Sequence, residues 1–95
     1  MSKLFEIVTK SAAVTKVSPW KDRHYISLAG FNGRYAGDRN LKVWIKGDTL
    51  TVEGNKGTRS SELSESLSAL TAAVETAGAT RKGFSDSIAA SYTIA

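Results

Sequence analysis

Cysteine is absent, and with it go disulfide staples, thiolate nucleophiles and zinc sites built on sulfur. A reducing compartment fits that lack. Histidine occurs once, at His24. Asp22, two residues away, is spaced to orient an imidazole on a strand, but such a pair is ordinarily a surface contact, so no catalytic residue is assigned. There is no HxxxH, no EF-hand loop and no set of carboxylates at ligand spacing, so neither a metal nor a cofactor is expected. Gly30, Gly33 and Gly37 do not make G-x-G-x-x-G, and Gly54-x-x-Gly57 lacks the Lys-Ser/Thr ending of a phosphate loop. No apolar run approaches the roughly 18 residues that span a bilayer, and MSKLFEIVTK lacks a signal-peptide pattern. The expectation is an intracellular protein of cytoplasm, nucleoid or nucleus, with no membrane partner.

What is present is an uneven charge. The formal total is +4, but residues 1–57 hold ten Lys and Arg against five Asp and Glu, whereas residues 58–95 hold three against four. A positive field confined to one part of a chain attracts and steers a polyanion. Ninety-five residues suit one domain with a modest core, which often gains by burying a further face in an oligomer.

Three segments alternate with period two. Tyr25 to Leu28 puts Ile26 and Leu28 on one face, Leu41 to Lys46 turns Lys42, Trp44 and Lys46 outward, and Thr49 to Glu53 points Leu50 and Val52 inward. Asn32-Gly33 and Gly47-Asp48 are turn signals, and Tyr35 to Asn40 has the composition of a loop or irregular edge. Earlier in the chain, KLFEIVTK fits a strand by its β-branched content and a short helix by Leu4, Ile7 and Val8. Ala12 to Val17 reads as a strand interrupted by Ser18-Pro19, and Trp20 to Arg23 as a polar approach to the next one.

From Thr58 the period becomes about 3.6. Ser60 or Ser61 is the expected N-cap, Glu62 and Glu65 lie near the positive end of the helix dipole, and Gly78 is the expected stop. Leu63, Leu67, Leu70 and Val74 form one stripe, with Ala69, Ala72 and Ala73 beside it allowing close approach of a second helix. These four are the expected homodimer interface, against the alternative that they cover the chain's own sheet. The domain is thus α+β over residues 1–78, about four antiparallel strands followed by one long helix. Residues 79–95 form a C-terminal tail in which Ile88, Tyr92 and Ile94 suit either a short strand or a partner contact.

The candidate site is a face carrying Tyr25, Phe31, Arg34, Lys42, Trp44 and Lys46. Single-stranded nucleic acid exposes flat bases and a charge at each phosphate, so its receptor interleaves aromatic platforms with cations. Arg23, Arg39 and Lys21 join this set on charge alone.

Tyr25-Ile-Ser-Leu28, two residues, then Phe31-Asn-Gly-Arg34, followed by a strand from Leu41 to Lys46, a Lys56-Gly57 turn and a Glu- and Leu-bearing helix, resembles the core of the PC4 family. These are transcriptional coactivators and single-stranded-DNA-binding proteins, with homologues in bacteria and phages. The resemblance covers residues 21–77. It implies a curved antiparallel sheet, a helix-mediated homodimer and a concave surface for single strands or melted duplex, serving transcription, replication or recombination alongside proteins of those processes. By position, Phe31 matches the stacking aromatic, Arg34 the cation after its glycine, Lys46 the cation ending the next strand, and Lys56 the lysine before the helix. Asn32 and Asn55 stand where cations are usual, and Tyr35 to Asn40 requires a gap, which separates Trp44 from the family's tryptophan. A protein-interaction module using the helix stripe and the apolar tail is the competing expectation.

Overall fold

The structure, a computed structural model, describes residues 3–54, 58–83 and 90–94. KLFEIVTK is the helix α1 (Lys3–Thr9) rather than a strand, because Leu4 and Val8, one turn apart, are both fully buried. The strand β1 (Val14–Trp20) runs through Pro19 instead of stopping before it. It is an outer strand of the sheet, where the missing proline donor removes no ladder bond. Lys21 and Asp22 turn the chain into β2 (Arg23–Leu28), with Lys21 in the left-handed region at φ 54°. The segment expected as a loop holds a single helical turn, α2 (Ala36–Arg39), and the Asn32-Gly33 turn leads into it rather than closing a tight hairpin.

The strands β3 (Lys42–Lys46) and β4 (Thr49–Glu53) pair across Gly47, whose φ of 59° suits the turn. Then comes α3 (Ser61–Thr76), capped by the Ser60 hydroxyl accepting from the Leu63 N–H and followed by Gly78 at φ 106°.

The segment expected as a tail supplies two more strands, β5 (Thr80–Gly83) and β6 (Ala90–Thr93). All six strands form one antiparallel sheet in the order β1-β2-β3-β4-β6-β5, against the four expected. The reason is visible in Ala90, Tyr92 and Ile94, which alternate and are buried beside Leu50 and Val52, extending the core past β4. β5 is exposed throughout, so its TRKG carries no apolar period to read. Ile88 and Lys56 lie outside the described residues.

Both longer helices cover one face of the sheet. α1 packs on α3, and α3 reaches β2 and β6. The core between them is Leu4 and Val8 from α1, Leu63, Leu70 and Val74 from α3, and Ile26, Leu28, Val43, Ile45, Leu50 and Val52 from the sheet. Burying each large aliphatic side chain stabilises the fold by about 1.5–3 kcal/mol. The expected dimer stripe is therefore corrected: Leu63, Leu70 and Val74 are spent inside this core, and Leu67 is half-buried against it. Among the described residues no helix is long and apolar enough to cross a membrane.

Candidate nucleic-acid interface

The face of the sheet away from the helices has no helix over it among the described residues, and its rows can be read from the pairing register. One row crosses all six strands as Ser18, Tyr25, Trp44, Thr51, Ser91 and Lys82. Beside it Lys42 faces Glu53, Lys46 faces Thr49, Lys16 faces Ser27 and Trp20 faces Arg23. Period-two alternation thus sends every apolar β-branched or leucine side chain of β3 and β4 to the core, and leaves Trp44, Lys42, Lys46, two threonines and the carboxylate of Glu53 here.

Tyr25 and Trp44 touch at 6.1 Å between ring centroids, tilted at 56°, and the Arg23 guanidinium lies 5.1 Å from the Trp44 ring. Trp44 is therefore on the open face, as its alternation predicts, with a cation already stacked on it. Trp20, read from sequence only as part of a polar approach, is 58% exposed, with the Lys21 ammonium 5.6 Å from its ring. It borders a shallow hollow of about 530 Å³ with Tyr25, Lys42, Ser18 and Pro19. Sequence reasoning missed Trp20 because Ser18-Pro19 ended the expected strand at Val17, three residues too early. Lys16 and Lys82 were missed for related reasons, one beside a register slip and one in a strand without apolar residues.

Asp22 lies among these cations. It accepts from the Lys46 ammonium at 2.9 Å and contacts Arg23 Nε at 3.5 Å. The Lys46 hydrogen bond holds its carboxyl below the ordinary carboxylate range, with partial loss of hydration opposing and Arg23 assisting. His24 does not meet Asp22; it faces the helix side and packs edge-on against Phe5, 4.8 Å between centroids.

Phe31, Arg34 and Arg39 belong to the connection between β2 and β3, not to the strand rows. Phe31 is 62% exposed, near Ser27 and Lys16 at the end of β2. The Arg34 side chain is exposed while its N–H donates to Asn32 Oδ1 at 3.0 Å. Arg39 Nη1 donates to the Gly33 carbonyl at 2.6 Å, which makes it a brace of the connection.

What holds this connection is Asp38, a residue the sequence did not single out. It is 1% exposed and accepts from the Asn32 N–H at 2.8 Å, the Ser60 N–H at 2.9 Å and the Ser60 hydroxyl at 2.8 Å. Burial pushes its carboxyl up, but the bonds from Ser60 and Asn32 and the charge of Arg59 outweigh that and hold it below the usual range. Gly30, at φ 90°, backs onto the first turn of α3 so closely that an added Cβ would stand 2.6 Å from Glu62 Cβ. Phe31 is thus positioned by a glycine on one side and a buried carboxylate on the other.

Compared with protein-family models, with curated proteins and with solved structures, the chain shows no match.

Proposed function

We propose that the chain is a non-catalytic single-stranded-DNA-binding protein that holds its strand on the open sheet face, with Tyr25, Trp44 and Trp20 and, at the end of β2, Phe31 as stacking platforms and Arg23, Lys42 and Lys46 as phosphate contacts. One observation carries this reading: the aromatic pair and the cations share one face of one sheet, while α3 carries Glu62, Glu65 and Glu75 and no Lys or Arg on the opposite side. A polyanion approaching such a molecule is steered to the sheet. The PC4-like pattern at Tyr25 to Arg34 supports the same class and suggests service in transcription, replication or recombination, on single strands or melted duplex. The competing interaction-module reading has less apolar surface to use, because Leu63, Leu70, Val74, Tyr92 and Ile94 are inside the core and Leu67 is half-buried against it.

Anisotropy of a labelled oligonucleotide tests this at two salt concentrations. Binding is expected to weaken with salt and to fall by roughly one and a half to four orders of magnitude in Phe31→Ala with Trp44→Ala, from about 1–3 kcal/mol for each of two stacked bases. Single strands are expected to displace the probe better than duplex DNA; an RNA competitor reports sugar preference. No binding at low salt sinks the proposal.

Asp22 acts here as a resident competitor for phosphate. Asp22→Asn frees Lys46 and Arg23, and affinity is expected to rise roughly two- to fivefold at low salt with a steeper salt dependence. Equal affinity in both proteins would show that the pair stays outside the contact.

The proposed homodimer must be built differently from the sequence expectation. With Leu63, Leu70 and Val74 inside the protomer, a second α3 meets the outward strip of Ser68, Ala69 and Ala72. Light scattering is expected to give a dimer that Ala69→Arg with Ala72→Arg converts to monomer at unchanged melting temperature. A wild-type monomer at micromolar concentration removes the dimer and leaves strand binding intact.

A further inference from the structure

The ladder between β2 and β3 covers only His24 with Ile45 and Tyr25 with Trp44. Beyond that, β2 stays paired with β1 as far as Leu28 and β3 stays paired with β4, so the two strands part. A cleft of about 500 Å³ opens in the seam, walled by Ile26, Val43 and Leu63 of the core, with Lys16, Ser27 and Phe31 at its mouth. Ser27 and Lys16 are paired residues of the open face, so the cleft is continuous with the surface proposed above for the strand.

We propose that this cleft takes one unstacked base of the bound single strand, an inference that rests on the open face being the strand's path. A base has flat apolar faces and a polar edge. The cleft offers apolar walls for the faces, and the Ser27 hydroxyl among its lining groups for the edge. Its volume lies within the range of about 300–1,000 Å³ typical of small-ligand sites, ample for a base with its sugar. Phe31 leaves most of its ring in water at the mouth, where a base entering the cleft would cover it. Lys16 is placed for the adjoining phosphate. A strand that is already unpaired gives up only its stacking to enter, so the same cleft discriminates against duplex.

The test is photo-crosslinking of the full-length protein to an oligothymidine bearing 4-thiothymidine at one central position, with adducts mapped by mass spectrometry. Adducts are expected on cleft residues such as Phe31, Ile26 or Leu41. Adducts confined to Trp20, Tyr25 and Trp44 overturn the cleft and leave the face reading standing; no adduct together with no binding overturns both. Leu41→Trp, which fills the cleft from its half-buried rim, is expected to lower affinity about five- to tenfold, the low end of one stacked base, and to abolish cleft adducts. Unchanged affinity and adducts in a folded Leu41→Trp protein also overturn it, and should that variant misfold, the wild-type map decides alone.

Discussion

Neutralising Arg23, Lys42 and Lys46 together as glutamine is expected to lower single-strand affinity roughly a hundredfold at 0.1 M salt and to reduce the slope of log affinity against log salt by about 2. The magnitude follows from counterion release: each phosphate contact on a single strand contributes a slope of about 0.7, so three contribute about two decades when salt is tenfold below the molar reference. The three side chains share the open face with Tyr25 and Trp44, and Arg23 stacks on Trp44. Removing them also leaves Asp22 unpaired beside the strand's path, which adds to the loss. Stability should barely move, because the Lys46–Asp22 contact joins side chains 59% and 56% exposed, and exposed pairs contribute little. Anisotropy titrations over a salt series and a thermal melt measure both quantities. A parallel downward shift with unchanged slope would place the phosphates on other cations, such as Lys16 and Lys82 of the same face.

The parts of this interface legible in the sequence were those with a strict period. Lys42, Trp44 and Lys46 alternate with Val43 and Ile45, and that alternation predicts the face each one takes because a strand sends successive side chains to opposite sides. α3 was equally plain from its cap at Ser60 to its stop at Gly78, yet the partner of its apolar stripe was not, since a helix face buries against a sheet or a second helix with the same spacing. The C-terminal strands were hidden for a different reason. β5 is an exposed outer strand with no apolar residue, and β6 shows its pattern only through Ala90, Tyr92 and Ile94, too short a run to separate from a tail. Trp20 was lost to Pro19, whose missing donor matters in a central strand and not in an outer one. Asp38 had no sequence signal at all: it meets Ser60 across 22 residues, a contact made by the fold.

Asp38→Ala is expected to lower the melting temperature by on the order of 10 °C or more and to weaken strand binding through Phe31 without touching the strand rows. Three donors converge on this carboxylate, from Asn32 and twice from Ser60, and alanine takes the acceptor from two backbone N–H groups, the part-buried one of Asn32 and the buried one of Ser60. The Ser60 hydroxyl can turn its one proton from Asp38 Oδ2 at 2.8 Å to the Gly30 carbonyl at 3.0 Å, but its oxygen already caps α3 and does not replace the carboxylate for the two N–H groups. The loss therefore reaches both the start of α3 and the connection that presents Phe31. Acid should act on the same group. A carboxyl whose folded pKa is held below its unfolded value, roughly 3.9, contributes its full stability above that value and loses it as pH falls through the folded pKa. Wild-type stability is thus expected to decline below about pH 4, with Asp22 adding a smaller share, and the Asp38→Ala protein to show a shallower decline over the same window. Melting curves from pH 7 down to pH 2 give the comparison, and parallel curves for the two proteins would refute the role. Gly30→Ala separates position from charge: it keeps Asp38 and its donors but forces a Cβ toward Glu62 at a positive φ. It should lower stability at every pH with the wild-type acid slope retained, since the group that titrates is still there.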